Sequence, residues 1–178
     1  SVAFEHHNYD LLTVLASEAV GVPGQRRFRL IGGIGTDVIS LWMEKEQLAA
    51  LGEAISQLLE QLTESRLVAT PIVSNLAVAP DPVPATTPEY LASKIMIGYD
   101  EERSLVAVFA HDIEQDDEDE PIFSGRATLE MAKALSEQID EVVAAGRPRC
   151  PRCGAPIGPE GHVCPHNNGH LPWTGNLN

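Results

Sequence analysis

The chain reads as an α+β protein, and three features of the sequence predict it. A pattern of strand, turn, strand, turn, strand, helix fills the early part; the same order returns in the second half; and all three cysteines fall in one stretch, Cys150 to Cys164. A three-stranded antiparallel meander buries one face, and one amphipathic helix covers that face. The expected architecture is two pseudo-repeated units of three-strand meander plus helix, followed by a C-terminal zinc-ribbon-like appendage. The body is assigned to 1–146, with halves 1–63 and 89–146 joined by a linker 64–88, and the zinc-binding segment to 147–178. A length of 178 residues with 43% hydrophobic content suits one globular core plus a small appendage.

In the first unit, "VPGQ" from Val22 to Gln25 carries a Pro-Gly turn signal, and "GGIGTD" from Gly32 to Asp37 supplies a second, glycine-rich turn. Between them Arg27 and Arg29 alternate with Phe28 and Leu30, the period of a strand with one wet face. "DVISLWM", Asp37 to Met43, is a mostly apolar strand. From Glu44 the period changes: Leu48, Leu51, Ile55, Leu58, Leu59 and Leu62 form one helical stripe, with Glu44 and Glu46 favouring the positive end of the helix dipole. The glycines lead into another strand, so "GGIG" is a hairpin turn and not a phosphate cradle.

The linker holds Pro71, Pro80, Pro82, Pro84 and Pro88 and no helical period, so it reads as extended chain. The second unit then runs "ASKIMIGYD" as strand, "EERS" as turn, "LVAVFAHDI" as strand, "EQDDEDEP" as an acidic loop, and "PIFSGR" as a short strand. A helix follows, with Leu129, Ala132, Leu135, Ile139, Val142 and Val143 on one side, Thr128 as N-cap and Gly146 as stop before Pro148. The loop 114–120 has six acidic residues in seven positions, read as a solvated hairpin loop held open by self-repulsion. It lacks the glycine turn and terminal glutamate of a calcium loop.

The net charge of -14 and pI near 4.7 argue against general affinity for nucleic acid or anionic membrane. Arg147, Arg149 and Arg152, with Trp173, make the tail locally basic, a small electrostatic contribution. No apolar run reaches the roughly 18 residues that a membrane helix needs, and "SVAFEHHNYD" has none of the regions of a signal peptide, so the expected location is the cytoplasm. An exposed edge on each three-stranded sheet would permit a homo-oligomer.

The chemistry lies in "CPRCGAPIGPEGHVCPHNNGH". Two thiolates separated by two residues, Cys150 and Cys153, bind one tetrahedral ion while the backbone turns beneath it, and Pro151 and Gly154 suit that turn. Cys164 opens the second half, but Asn167 stands where a fourth thiolate belongs. The replacement is one of His162, His166 or His170. His162 is favoured, because residues two apart on extended chain project to one side, directing His162 and Cys164 back to the knuckle. A closed site of three cysteines and one histidine leaves no position for water, so the zinc is structural.

Outside this segment no nucleophile and base constellation and no HExxH-type site stands out. The leading reading is a zinc-containing binding or adaptor protein acting with a protein partner. The alternative is an enzyme or accessory subunit acting on a small phosphorylated compound, with His111 beside Asp112 as its only mid-chain lead. Adjacent strand residues point to opposite faces, which weighs against a dyad there. His6 and His7 read as a flexible terminus.

Over nearly its whole length the chain resembles the bacterial domain-of-unknown-function family numbered 3090. The resemblance is carried by "VGVPGQRRFRL", by "MEKEQLAALGEAI", by the acidic loop of the second half and by "AAGRPRCPRCGAPIGPEGHVCPHNNGH"; 63–90 and the tail after His170 match poorly. In that family the position of His166 is usually arginine while the Gly-His-x-Cys at Gly161 to Cys164 recurs, so the resemblance implies His162 as the fourth ligand. It brings no established activity. Its members tend to be encoded beside a phosphomutase-like phosphatase and a protein resembling phosphatidylinositol kinases, which implies a shared pathway and a kinase-like partner.

Overall fold

The computed structural model describes residues 4–65, 78–145, 150–153 and 164. Within them the elements run β1 (His7–Tyr9), β2 (Val14–Val20), β3 (Arg27–Ile34), β4 (Asp37–Met43), α1 (Lys45–Glu64), β5 (Glu89–Asp100), β6 (Leu105–Asp112), β7 (Phe123–Thr128) and α2 (Leu129–Ala144). The mixed α+β class holds. The expectation of a separate three-stranded sheet in each half does not: all strands join one sheet in the order β1-β7-β6-β5-β4-β3-β2. Each meander is antiparallel within itself, and the two meet where β4 and β5 pair in parallel, Leu41 beside Tyr90. The edges expected in the middle of the chain therefore do not exist.

Why the two meanders fuse is visible in the core. Leu15, Phe28, Leu30, Ile39 and Leu41 of the first lie in one cluster with Val106, Val108, Phe123 and Ala127 of the second. Leu48, Ile55 and Leu59 of α1 and Leu135 and Ile139 of α2 close it from the other side. Burying such side chains stabilises by about 1.5–3 kcal/mol each, and one shared core leaves less apolar surface wet than two small ones. The helices do not keep to their own halves: α1 packs on β3 and β5, and α2 packs on β2 as well as β6 and β7. They cross closely at Gly52, where an added Cβ would stand 2.8 Å from Ile139 Cγ2.

Local signals explain the helix starts. The Thr128 hydroxyl accepts from the Met131 N–H at 3.1 Å, the expected N-cap. Glu44 precedes α1 as its N-cap residue, and its N–H donates to Gln47 Oε1 at 2.8 Å. The stop at Gly146 lies outside the described residues; α2 ends at Ala144.

Two sequence expectations change in detail. Gly32 and Gly33 belong to β3, and only Gly35, with φ 61°, makes the turn. The glycine at 32 leaves room for the Phe123 ring, which a Cβ would meet at 2.9 Å. His7 is not a loose terminus: β1 pairs in parallel with β7, His7 Nε2 is 2.8 Å from the Tyr90 hydroxyl, and His6 Nδ1 is 2.9 Å from the Pro121 carbonyl. Beside it, Tyr9 sits in the core, where burial and the Asp37 carboxylate push its phenol up to about 12.

The linker lies partly within the described residues. From Val78 onward it crosses the face of the sheet opposite the helices, where Ala79 and Val83 pack on Val14, Ile31 and Val38. At the free edge of β2, the Ser17 N–H donates to Gln138 Oε1 of α2 at 2.7 Å, so the helix guards that edge.

Candidate metal centre

Cys150, Cys153 and Cys164 come together although fourteen positions of chain separate the first from the last. Their sulfur atoms all lie within 4.8 Å of one another. Thiolates around a tetrahedral ion with zinc–sulfur bonds of about 2.3 Å stand about 3.8 Å apart, so the separation suits one shared ion. Cys150 and Cys164 are buried and Cys153 is half-buried.

The turn 151–153 performs the local work. It aims the backbone N–H groups of Cys153 and Arg152 at the Cys150 sulfur, and these hold the Cys150 thiol below its ordinary value, with burial opposing them. Hydrogen bonds to the thiolate favour the charged form, which is the form that binds a metal. Soft sulfur donors in this number fit zinc, and the donor set alone also admits other thiophilic ions. The three histidines considered for the fourth position, His162, His166 and His170, lie outside the described residues, as do Arg147, Arg149 and Trp173.

The other candidate, His111 with Asp112, is not assembled as a dyad. His111 is buried on β6, and its Nε2 lies 2.9 Å from the Asp119 carbonyl. The Asp112 carboxylate accepts from the Leu91 N–H at 3.3 Å and the Glu114 N–H at 3.0 Å. Each is committed to holding the acidic loop. His111 Nδ1 is buried without a hydrogen-bond partner among the described residues. Open grooves of about 430 Å³ between α1 and α2 and about 400 Å³ between α1 and β5 are lined by neither His111 nor the cysteines.

What sequence reasoning missed is Gln115. Buried beneath the loop, its Oε1 accepts from the N–H groups of Asp112 at 3.0 Å and Ile122 at 3.1 Å, and its Nε2 donates to the Glu120 carbonyl at 2.9 Å. The loop is thus tied down from inside, while its acidic side chains from Asp116 to Glu120 face water. The solvated loop expected from its charges therefore also has an internal anchor. Gln115 is the single uncharged residue of 114–120, and that exception was the available signal.

Among the described residues no helix is long and apolar enough to cross a membrane. Comparison with curated proteins and with solved structures found no match. The family model described as "Protein of unknown function (DUF3090)" matches residues 7–164, a span that takes in the sheet, both helices and all three cysteines, and the chain belongs to that family.

Proposed function

We propose that this is a zinc-containing binding or adaptor protein in which Cys150, Cys153, Cys164 and His162 close a structural zinc site. The observation that supports it is the convergence of three sulfur atoms within 4.8 Å, two of them on buried cysteines. A fourth protein ligand leaves no place for substrate, and metal binding then provides the folding free energy that a segment such as 147–178, poor in large apolar groups, lacks. On the same reading that segment is a ribbon-like module attached to a pseudo-repeated body, and the body presents the surface that holds a cytoplasmic protein partner. A kinase-like protein is the first partner to test, on the strength of the family resemblance.

The test is metal content and cobalt spectroscopy of the purified chain. One zinc per chain is expected, and cobalt in its place should give the visible bands and sulfur-to-metal charge transfer of a tetrahedral site with three sulfurs and one nitrogen. His162→Ala should weaken binding by about 10- to 100-fold or more, whereas His166→Ala and His170→Ala leave it unchanged. Loss on His166→Ala instead would reassign the fourth ligand. An open, water-bearing cobalt spectrum, or turnover of a phosphorylated metabolite, would overturn the structural reading.

A further inference from the structure

The three cysteines are shielded unequally. Cys150 is 4% exposed and Cys164 1%, whereas Cys153 is half-buried and follows two exposed residues, Pro151 and Arg152, on the turn. A reagent in water therefore meets the Cys153 sulfur first. An accessible sulfur kept as a thiolate by a metal, with a second sulfur close by, is the arrangement that peroxides oxidise reversibly.

Both neighbouring sulfurs lie within 4.8 Å of Cys153, so either could in principle pair with it. Chain connectivity separates them: two residues lie between Cys153 and Cys150, and ten between Cys153 and Cys164. Cys153 is joined to Cys150 by its side chain and also by its backbone N–H, which points at the Cys150 sulfur; Cys164 meets Cys150 through its side chain. The pair on the turn thus stays together when the arm carrying Cys164 moves off, and the shorter loop costs less entropy to close.

We infer that Cys153 is an oxidation site for hydrogen peroxide and that Cys150 resolves it as a Cys150–Cys153 disulfide that dismantles the metal site, a role that rests on the proposed zinc reading. The Cys153 sulfur attacks one peroxide oxygen; the S–O bond forms, the O–O bond breaks, and the departing hydroxide takes a proton from solvent to become water. The Cys150 sulfur then attacks the Cys153 sulfenic acid. An S–S bond forms, the S–O bond breaks, and the second hydroxide leaves as water with another solvent proton. Two thiolates have given up two electrons, and the peroxide has been reduced to two waters. Two of the four proposed ligands are gone, so the ion is lost with its charge unchanged, together with the folding free energy it supplied.

Hydrogen peroxide added to the full, zinc-loaded chain tests it, with zinc release followed by a chromogenic chelator and the products mapped by mass spectrometry. Zinc content is measured before the oxidant is added: a chain that holds none overturns the zinc reading itself, a result distinct from zinc that is present and stays bound. The expected products are about one zinc released per chain, a mass lower by about 2 Da and a disulfide between Cys150 and Cys153. An alkylating reagent should then modify Cys164 alone, and dithiothreitol with added zinc should restore the site. Cys153→His keeps four donors, as in a Cys2His2 site, and should hold zinc while releasing it to peroxide about tenfold more slowly or less. The exposed thioether of Met96 serves as the internal yardstick. Cys153 left intact, or zinc left bound, at a dose that turns Met96 into its sulfoxide would overturn the inference. So would a disulfide that includes Cys164, or release from Cys153→His at the parental rate.

Discussion

The sheet body and the cysteine knuckle are held together in opposite ways. The body gathers apolar side chains from both meanders and both helices into one cluster, so its cohesion is spread over many residues. The knuckle gathers three sulfurs at one point. Distributed burial tolerates the loss of one member at a cost, whereas a coordination site that loses one ligand loses most of its affinity. The difference teaches where each region is vulnerable, and crossed variants should expose it.

The largest effect is expected at the knuckle. On the proposed zinc reading, Cys164→Ser should abolish stoichiometric zinc, removing a binding free energy on the order of 10 kcal/mol, while the urea midpoint of the body stays near that of the parent. Leu135→Ala should do the reverse, lowering body stability by about 2–5 kcal/mol at unchanged metal content. Metal analysis and urea denaturation of the two variants check both arms. If Cys164→Ser unfolds the body as well, the two regions are one cooperative unit and the contrast fails.

An intermediate effect is expected at Gln115, where the body borrows the logic of the knuckle by hanging several segments on one side chain. Gln115→Ala strands the N–H groups of Asp112 and Ile122, both buried, and should cost about 1–3 kcal/mol. Amide exchange should quicken there and through the acidic loop, with β3 and β4 unaffected.

The smallest concerns Tyr9. In the unfolded chain its phenol titrates at the ordinary value of 10.0, and in the folded one at about 12. A raised folded value means that its contribution is complete below pH 10 and is lost as pH rises toward about 12. Urea midpoints measured from pH 9 to 12 should fall less steeply in Tyr9→Phe than in the parent, Tyr90 supplying part of the remaining slope because burial raises its phenol too. Equal slopes would place Tyr9 outside the core at high pH.

Local patterns were legible wherever the information was local. Leu48, Leu51, Ile55, Leu59 and Leu62 are the buried apolar stripe of α1, as their spacing says, and β4 runs from Asp37 to Met43 as read. The convergence of Cys150 and Cys153 was legible because a spacing of two intervening residues is within the reach of a single turn. Non-local features were not. His7–Tyr9 carries no period of its own and becomes a strand only because β7 lies beside it. Nothing in Leu41 or Tyr90 announces that their strands pair in parallel; that follows from α1 returning the chain and from the shared core. Gln115 was hidden by the charges around it.

The contact between Ser17 and Gln138 spans 121 positions, and β1 finds its partner on β7. During vectorial synthesis the first strands therefore leave the ribosome long before the strand and helix that complete them. Until α2 is made, a nascent chain carries the bare edge of β2 and an unroofed apolar face, the state most prone to pair with another chain. Folding of this protein is consequently expected to await the finished body, and a chain arrested before Leu129 to depend on chaperones rather than to hold a native half.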